Sequence, residues 1–159
     1  MIRTGIGFDV HPFAAGRRLV LGGVEIASPV GLAGHSDADV LCHALADALL
    51  GAVADGDIGV HFPDSDPRWQ GADSLKLLAH CAQRVAARGA RIVNVDATVL
   101  AEHPRLAPHR ALMCTRLAAA LQLPVDRVSV KATTMEKLGS IGRGEGIAVM
   151  AIATVELSS

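Results

Sequence analysis

The chain has 159 residues, of which 50% are hydrophobic, and its 15 basic and 16 acidic residues give a formal net charge of -1. This length and apolar content favour a single domain, residues 1–159, with a sizeable core. The balanced charge excludes a globally basic surface, and an aromatic content of 3% without tyrosine disfavours a base-stacking platform. No nucleic-acid partner is therefore expected.

Cysteine usage and hydropathy predict a cytoplasmic protein without a membrane partner. Cys42, Cys81 and Cys114 are widely spaced, and each lies in a predicted helix, so we expect them to be reduced and buried. The N-terminus lacks the basic start and apolar core of a signal peptide. No apolar run approaches the roughly 18 residues that are needed to cross a bilayer.

Residues 2–10 alternate in polarity with the period of a half-buried strand. Asp9 and His11, two positions apart in such a strand, project from the same face. His43, on a following helix, would complete a set of one carboxylate and two imidazoles that suits zinc and leaves a fourth position open. The alternative is an Asp–His hydrogen bond that closes a turn before Pro12, and the spacing alone leaves both possibilities open.

A helix is predicted from an N-cap at Ser36 to about residue 54, with acidic residues near its positive end. Asp39, His43 and Asp47 recur every four residues and therefore share one face of this helix. A metal-bound imidazole usually donates its second N–H to a carboxylate, so Asp47 or Asp39 is the expected acceptor for His43. The alternative for His43 is an ordinary, partly buried position.

Residues 55–73 contain glycines, prolines and acidic residues without periodicity, which predicts a long loop. Such a loop is either functional or an ordinary surface loop. Phe62 and Trp69 argue against disorder, because aromatic side chains can pin the loop as a lid.

The remaining patterns predict an α+β domain. They indicate a hairpin around Gly22-Gly23, a second helix from Asp73 or Ser74 to Gly89, a third helix at 107–121, and strands at 93–99, 127–132 and 147–155. Three helices would cover one face of a mixed sheet, with the small hairpin beside it. The apolar run 147–155 predicts a strand covered on both faces, and the simplest cover for its second face is another copy of the chain.

A second group of polar residues follows the predicted strand at 127–132. Thr133, Thr134 and Glu136 come directly after it, close to Arg143 and several glycines. Hydroxyls, backbone N–H groups and a cation can cradle a phosphate, and a neighbouring carboxylate can hold Mg²⁺. The glycines fit no Walker or Rossmann spacing, so a simple glycine-rich connection is the alternative. Together with a zinc-type triad, the group suggests phosphoryl transfer.

The motifs match one known family from end to end, in order and with similar gaps. They are Gly7-Phe8-Asp9-Val10-His11, Gly34-His35-Ser36-Asp37, His43-Ala44-Leu45-Ala46-Asp47-Ala48, Gly56-Asp57-Ile58-Gly59, Phe62-Pro63-Asp64-Ser65-Asp66-Pro67, Val130-Lys131-Ala132-Thr133-Thr134, Glu136-Lys137-Leu138-Gly139 and Gly142-Arg143-Gly144-Glu145-Gly146. As a set they resemble the 2-C-methyl-D-erythritol 2,4-cyclodiphosphate synthases of the non-mevalonate isoprenoid pathway.

The resemblance implies a homotrimer with active sites between subunits, which converts 4-diphosphocytidyl-2-C-methyl-D-erythritol 2-phosphate to the cyclic diphosphate and releases CMP. It implies Zn²⁺ on Asp9, His11 and His43, and Mg²⁺ or Mn²⁺ on Glu136. His35 and Thr134 would steady the transition state. The substrate-binding residues that it implies are Asp9, His11, His35, Ser36, Asp57, Ile58, Gly59, Phe62, Pro63, Asp64, Ser65, Asp66, Ala101, Glu102, His103, Pro104, Arg105, Leu106, Ala107, Thr133, Thr134, Met135, Glu136, Ser140 and Arg143.

Several positions depart from the pattern of the family, namely Ala38, Arg105, Met135 and Ser140. Two other functions fit the same motifs. A zinc-dependent phosphoesterase would use the open metal position to activate water, and would hydrolyse its substrate without forming a cyclic product. A noncatalytic, zinc-stabilised nucleotide-binding trimer would bind CMP without turnover.

Overall fold

The computed structural model describes residues 1–157. The strands are β1 (Ile2–Ala14), β2 (Leu19–Leu21), β3 (Val24–Ile26), β4 (Gly31–Leu32), β5 (Ala90–Leu100), β6 (Val128–Thr133) and β7 (Gly146–Leu157). The helices are α1 (Val40–Ala52), α2 (Ile58–His61), α3 (Ser74–Ala87), α4 (Arg110–Leu121) and α5 (Gly139–Gly142). Short 3₁₀ turns lie at Pro67–Trp69, Ala107–His109 and Val125–Arg127.

Five strands form one mixed sheet in the order β4-β1-β7-β5-β6. The β5–β6 pair is parallel, whereas the other pairs are antiparallel. Strands β2 and β3 form the separate hairpin expected around the two glycines. The long helices α1, α3 and α4 pack on one face of the sheet. The predicted α+β fold, with three main helices on one face, is therefore confirmed.

The two faces of β1 differ in a way that the alternating pattern alone did not reveal. The buried face carries Gly5 and Gly7, where an added Cβ would lie 2.0 and 1.9 Å from carbonyl oxygens of α1. The opposite, apolar face is exposed, with Ile6 at 67% and Phe8 at 57% of their full accessible surface. Because glycine leaves room for close backbone approach, α1 packs directly onto β1.

The exposed face of β1 continues onto β7. Ile6 pairs with Ile152 and Phe8 with Met150 across the two strands, and Ile152 and Met150 are 46% and 48% exposed. The opposite face of β7 is fully covered by the core. The prediction that the second face of this strand needs a cover from outside the chain is consistent with this open apolar surface. We call Ile2, Ile6, Phe8, Val10, Met150 and Ile152 the open face.

The start of α1 differs from the prediction. Its N-cap is Asp39 and not Ser36, and the helix ends at Ala52. The buried Asp39 carboxylate accepts hydrogen bonds from the backbone N–H groups of Gly22, Gly23 and Cys42, with N–O distances of 2.9, 2.7 and 3.1 Å. Burial raises the pKa of this carboxyl above its usual value despite these bonds. One side chain thus starts the helix and ties it to the β2–β3 hairpin.

All three cysteines lie in helices and are free, as predicted, although Cys114 is only partly buried. The third helix begins later than predicted, at Arg110, because a 3₁₀ turn occupies Ala107–His109. Among residues 1–157, no helix combines the length and the apolar character required to cross a membrane.

Candidate metal centre and active-site cavity

Strand β1 and helix α1 bring three metal-ligating side chains together. Asp9 Oδ2 lies 2.8 Å from His11 Nε2 and 3.2 Å from His43 Nδ1, and the two histidine nitrogens are 3.3 Å apart. One donor atom from each residue can therefore face a single cation. The sequence prediction of this convergence holds. Asp9 and His11 also form the alternative hydrogen bond, but it closes no turn before Pro12, because β1 continues past residue 10 to Ala14.

The glycines of β1 explain how His43 reaches the strand. Gly7 lies directly under Ala44, the residue after His43. A side chain at Gly7 would force α1 away from the sheet, because its Cβ would overlap the backbone of Ala44. The close packing places His43 over the end of β1 where Asp9 and His11 project.

The electrostatics of the triad favour a negative carboxylate between two imidazoles. Burial raises the pKa of Asp9, but hydrogen bonds and charge interactions with His11 and His43 outweigh it and hold that pKa well below its usual range. For His11, burial lowers the pKa, whereas the bonds to Asp9 and to the Ala33 carbonyl produce a net rise. A cation bound by these three groups would compete with protons for the same donor atoms.

Each imidazole is oriented by a partner on its other nitrogen. His11 Nδ1 contacts the carbonyl oxygen of Ala33, so its Nε2 is the atom that faces the triad. His43 Nε2 contacts the hydroxyl groups of Ser36 and Ser74, at 3.1 and 3.0 Å. The expectation that Asp47 or Asp39 accepts this N–H is wrong. Asp39 is used by the α1 cap, and Asp47 accepts the backbone N–H of Ile58 at 2.8 Å.

The triad lies in a cavity of about 470 Å³. Nine of the predicted substrate-binding residues line it: Asp9, His11, His35, Ser36, Ile58, Gly59, Phe62, Pro63 and Asp64. The sequence prediction missed Val10, Gly34, Asp47, Trp69 and Leu77 as lining residues. Of these, Trp69 had a usable signal, since an isolated tryptophan in a loop was expected to pin it.

The 55–73 segment is an ordered wall of this cavity and not a plain surface loop. Asp57 caps α2 by accepting the N–H of Val60 at 3.0 Å. The rings of Phe62 and Trp69 meet edge to face, with centroids 5.0 Å apart. Asp66 accepts from Arg68, and its carbonyl oxygen lies 3.3 Å from His35 Nε2. Ser65, also predicted, lies exposed on the same segment.

The other predicted residues form a second surface, at the ends of β5 and β6. We call residues 101–107 and 133–143 the distal surface. Glu102 joins its two segments, because its carboxylate accepts the N–H groups of Met135 and Lys137 at 2.9 and 3.3 Å. Thr134 donates to Glu136 at 2.7 Å. The predicted substrate-binding and metal residues of these two segments are Ala101, Glu102, His103, Pro104, Arg105, Leu106, Ala107, Thr133, Thr134, Met135, Glu136, Ser140 and Arg143. Leu106 differs from the others, because it is only 4% exposed and packs in the core.

The triad cavity and the distal surface do not merge within one chain. No distal residue lines the cavity, and β7 lies between β1 and β5 in the sheet. The predicted transition-state pair is divided accordingly, with His35 in the cavity and Thr134 exposed on the distal surface. Both regions lie at the same end of the sheet, since Asp9 is in register with Val149 and Val149 with Val99.

An α+β domain that holds a carboxylate and two imidazoles in a cavity defines a candidate metalloenzyme. The model of the YgbB family matches residues 2–156, and the chain belongs to this family. The chain is similar to 2-C-methyl-D-erythritol 2,4-cyclodiphosphate synthases. It is 59% identical to the one from Burkholderia mallei over 153 residues, 96% of this chain and 94% of that protein.

Similar relatives include both single and fused enzymes. The synthase from Solibacter usitatus is 56% identical over 98% of each chain. The chain is also 56% identical to a bifunctional IspD/IspF enzyme from Sphingopyxis alaskensis, of which it spans 41%. Among solved structures, a CDP-bound form of 2C-methyl-D-erythritol-2,4-cyclodiphosphate synthase matches with a TM-score of 0.89 and 39% identity, over 97% of this chain and 100% of that one.

Proposed function

We propose that this chain catalyses the reaction implied by the family resemblance, as a phosphorus–oxygen lyase. It would convert 4-diphosphocytidyl-2-C-methyl-D-erythritol 2-phosphate to 2-C-methyl-D-erythritol 2,4-cyclodiphosphate and release CMP. The observation that carries the proposal is the convergence of Asp9, His11 and His43 in a cavity. This geometry occurs in a chain that is similar over nearly its whole length to synthases of that name.

In this proposal Asp9, His11 and His43 would hold Zn²⁺, and Glu136 would hold Mg²⁺ or Mn²⁺. The donor set fits zinc, which prefers nitrogen and carboxylate oxygen ligands and keeps one position open in catalytic sites. When bound, these metals supply positive charge that neutralises the phosphate oxygens. His11 and His43 meet the structural requirement, because their other nitrogens already have oxygen partners.

The chain's own residues would mainly position the substrate. The nucleophile is the 2-phosphate of the substrate, so the reaction needs no activated serine, cysteine or water. The erythritol phosphate would be held by residues of the cavity wall, namely His35, Ile58, Gly59 and the segment 62–66, of which residues 62–64 line the cavity. Asp57 would contribute from the N-terminal cap of α2. Holding a flexible polyanion in one folded conformation is itself a large catalytic effect.

The distal surface would bind the cytidine diphosphate. Residues 101–107 with Thr133 would form the nucleoside pocket, and Thr134, Glu136, Ser140 and Arg143 would face the phosphates. The solved structures of similar proteins support this ligand, because one is a synthase bound to CDP and another is a CDP complex of IspF from Plasmodium falciparum, with a TM-score of 0.86. The exposed side chains of Thr134, Ser140 and Arg143 carry hydroxyl and guanidinium donors that suit an anion.

We propose a homotrimer in which each active site takes the triad cavity from one chain and the distal surface from the next. The separation of the two regions within one chain supports this arrangement. The open face on β1 and β7 supports it as well, since contiguous exposed apolar surface marks a contact between proteins. The three free cysteines fit a reducing compartment such as the cytoplasm.

The direct test is to incubate the purified chain with the cytidylated substrate, Zn²⁺ and Mg²⁺, and to analyse the products. We expect CMP and the cyclic diphosphate in equal amounts. Phosphate release without a cyclic product would instead support a zinc-dependent phosphoesterase, and CMP binding without turnover would support a nucleotide-binding module. Either result would overturn the proposal. Asp9→Ala serves as the inactive control.

A further inference from the structure

Behind His43 lies a hydrogen-bonded chain that leads away from the cavity. His43 Nε2 is 3.0 Å from Ser74 Oγ, and Ser74 Oγ is 2.5 Å from Asp37 Oδ1. Ser74 is fully buried at the first residue of α3. The chain therefore connects a candidate metal ligand on α1 to a carboxylate in the preceding loop, through a hydroxyl on a third element.

The direction of each hydrogen bond follows from the donors that are available. An ionised carboxylate only accepts, so the Ser74 hydroxyl hydrogen points to Asp37. The Ser74 oxygen then has only lone pairs left for His43, so the 3.0 Å contact is a hydrogen bond in the tautomer that carries the proton on Nε2. In that tautomer His43 Nδ1, which faces Asp9 and His11, presents its lone pair to the cavity, as a metal ligand must.

The position of Asp37 is itself fixed from several sides. Its carboxylate accepts the backbone N–H groups of Ser74 and Asp39, each at 3.1 Å. Its own N–H donates to the carbonyl of Ala72 at 3.0 Å. Ser36, the other hydroxyl near His43, has no carboxylate partner among its hydrogen bonds in the described chain. Ser74 is thus the hydroxyl whose orientation is determined by a charge.

We infer that Asp37 and Ser74 are positioning residues that hold His43 in the tautomer and ring orientation needed to bind a metal through Nδ1. This inference rests on the proposed metal centre. It extends the common pattern in which a carboxylate orients a metal-bound histidine, with a serine hydroxyl inserted between the two groups. Neither residue would contact the metal.

The test is a zinc titration of the metal-free, full-length chain against a chromophoric chelator. Ser74→Ala removes the hydroxyl that Asp37 orients towards Nε2 and leaves only that of Ser36, and we expect zinc affinity to fall by about 10- to 100-fold. The matched control is Ser28→Ala, in the loop before β4, where the hydroxyl accepts only the N–H of Val30. This control is expected to bind zinc like the wild type.

A double-mutant cycle separates positioning from general structure. Asp37→Asn should also weaken zinc binding, and the pair Asp37→Asn with Ser74→Ala should bind no worse than Ser74→Ala alone, because both act through one chain. Each variant is first checked for folding by circular dichroism, since Asp37→Asn also loses a backbone contact. Additive losses would overturn the inference.

The Asp9→Ala variant distinguishes failure of the inference from failure of the metal centre. If Asp9→Ala loses zinc and folded Ser74→Ala binds it within about twofold of the wild type, the positioning role is wrong while the metal centre stands. If Asp9→Ala itself retains zinc affinity, the metal centre is wrong and the inference fails with it.

Discussion

The triad cavity and the distal surface carry similar kinds of polar residues but are built differently. In the cavity, the side chains of His11 and His43 are only 15% and 13% exposed, and each ring is held on both nitrogens. On the distal surface, Thr134, Glu136 and Arg143 are exposed, and Thr134 and Glu136 bond to each other. The donor atoms of the triad are thus held in a partly buried cluster, whereas these distal side chains lie at the surface of the chain.

This difference has a physical reason. Metal ligands must be oriented before the metal binds, so they need rigid support from strands and helices. In the proposed trimer, the distal surface contributes to the site of a neighbouring chain and must stay open until the chains assemble. The predicted catalytic pair, His35 and Thr134, would be brought together from neighbouring chains in this proposed trimer.

The largest effect is expected from removing the centre of the triad. Asp9→Ala should abolish stoichiometric zinc binding and lower turnover by roughly a thousandfold, since the metal's charge stabilisation is lost. Metal analysis of the purified protein and the CMP-release assay measure the two effects. Full activity of this variant would show that the cavity works without its triad.

A charge on the open face tests whether the two regions must meet. Ile152→Asp places a carboxylate opposite Ile6, and we expect the proposed trimer to dissociate and activity to fall by at least about a hundredfold. Analytical ultracentrifugation gives the assembly state. The control is Val125→Asp, at an apolar residue that is 55% exposed outside this face. An active monomer would contradict a shared site.

Arg17 allows a finer test of the cavity side. Its guanidinium donates to the carbonyl oxygens of Gly34 and Ser36 at 2.9 and 2.8 Å, and thus holds the backbone on either side of His35. Arg17→Met should lower kcat/KM by about tenfold through misplacement of His35. Its neighbour Arg18, which pairs with Glu25 at the surface, provides the control Arg18→Met with unchanged kinetics.

The smallest effect concerns stability on the cavity side. Asp55, whose side chain is 6% exposed, bonds to Arg84 and Arg88 on and after α3 and lies 3.6 Å from His61 of α2. We expect Asp55→Asn to lower Tm by several degrees, on the order of 5 °C, at equal protein concentration near pH 7. Differential scanning calorimetry measures this change.

The same variant has a defined pH dependence. The hydrogen bond from Arg84, against the effect of burial, lowers the pKa of the Asp55 carboxyl below its ordinary value. Such a group stabilises the fold above its unfolded pKa of about 3.9 and loses this contribution as the pH falls through the lower, folded pKa. The difference in Tm should therefore shrink below about pH 4. A difference that grows in acid would contradict this sign.

The sequence predicted the fold and the triad because both depend on periodicity. Alternation places Asp9 and His11 on one face of a strand, and a four-residue period places His43 on a helix. The partner of His43 Nε2 could not be predicted in this way. That partner depends on which ring nitrogen of His43 faces β1. It also depends on α3, which brings Ser74 to the other nitrogen from a distant part of the chain.

Two other features also lay beyond the sequence pattern. Ser36 and Asp39 are both good N-caps, and only the packing of Gly22 and Gly23 against Asp39 selects the second. The alternation in β1 could not indicate which face is buried, because glycines on one side and large apolar residues on the other each permit contact. Helix α1 packs against the glycine side of β1, so the apolar side of the strand is exposed.

The most direct test of a shared active site is complementation between two inactive variants. Asp9→Ala disables the triad cavity, and Thr134→Ala disables the distal surface. A mixed trimer of the two variants can still form a site that combines the intact cavity of one chain with the intact distal surface of the other. Co-expressed in equal amounts, the variants should regain about a quarter of wild-type activity if chains assort randomly. Mixed trimers that are verified by native mass spectrometry and remain inactive would contradict the account.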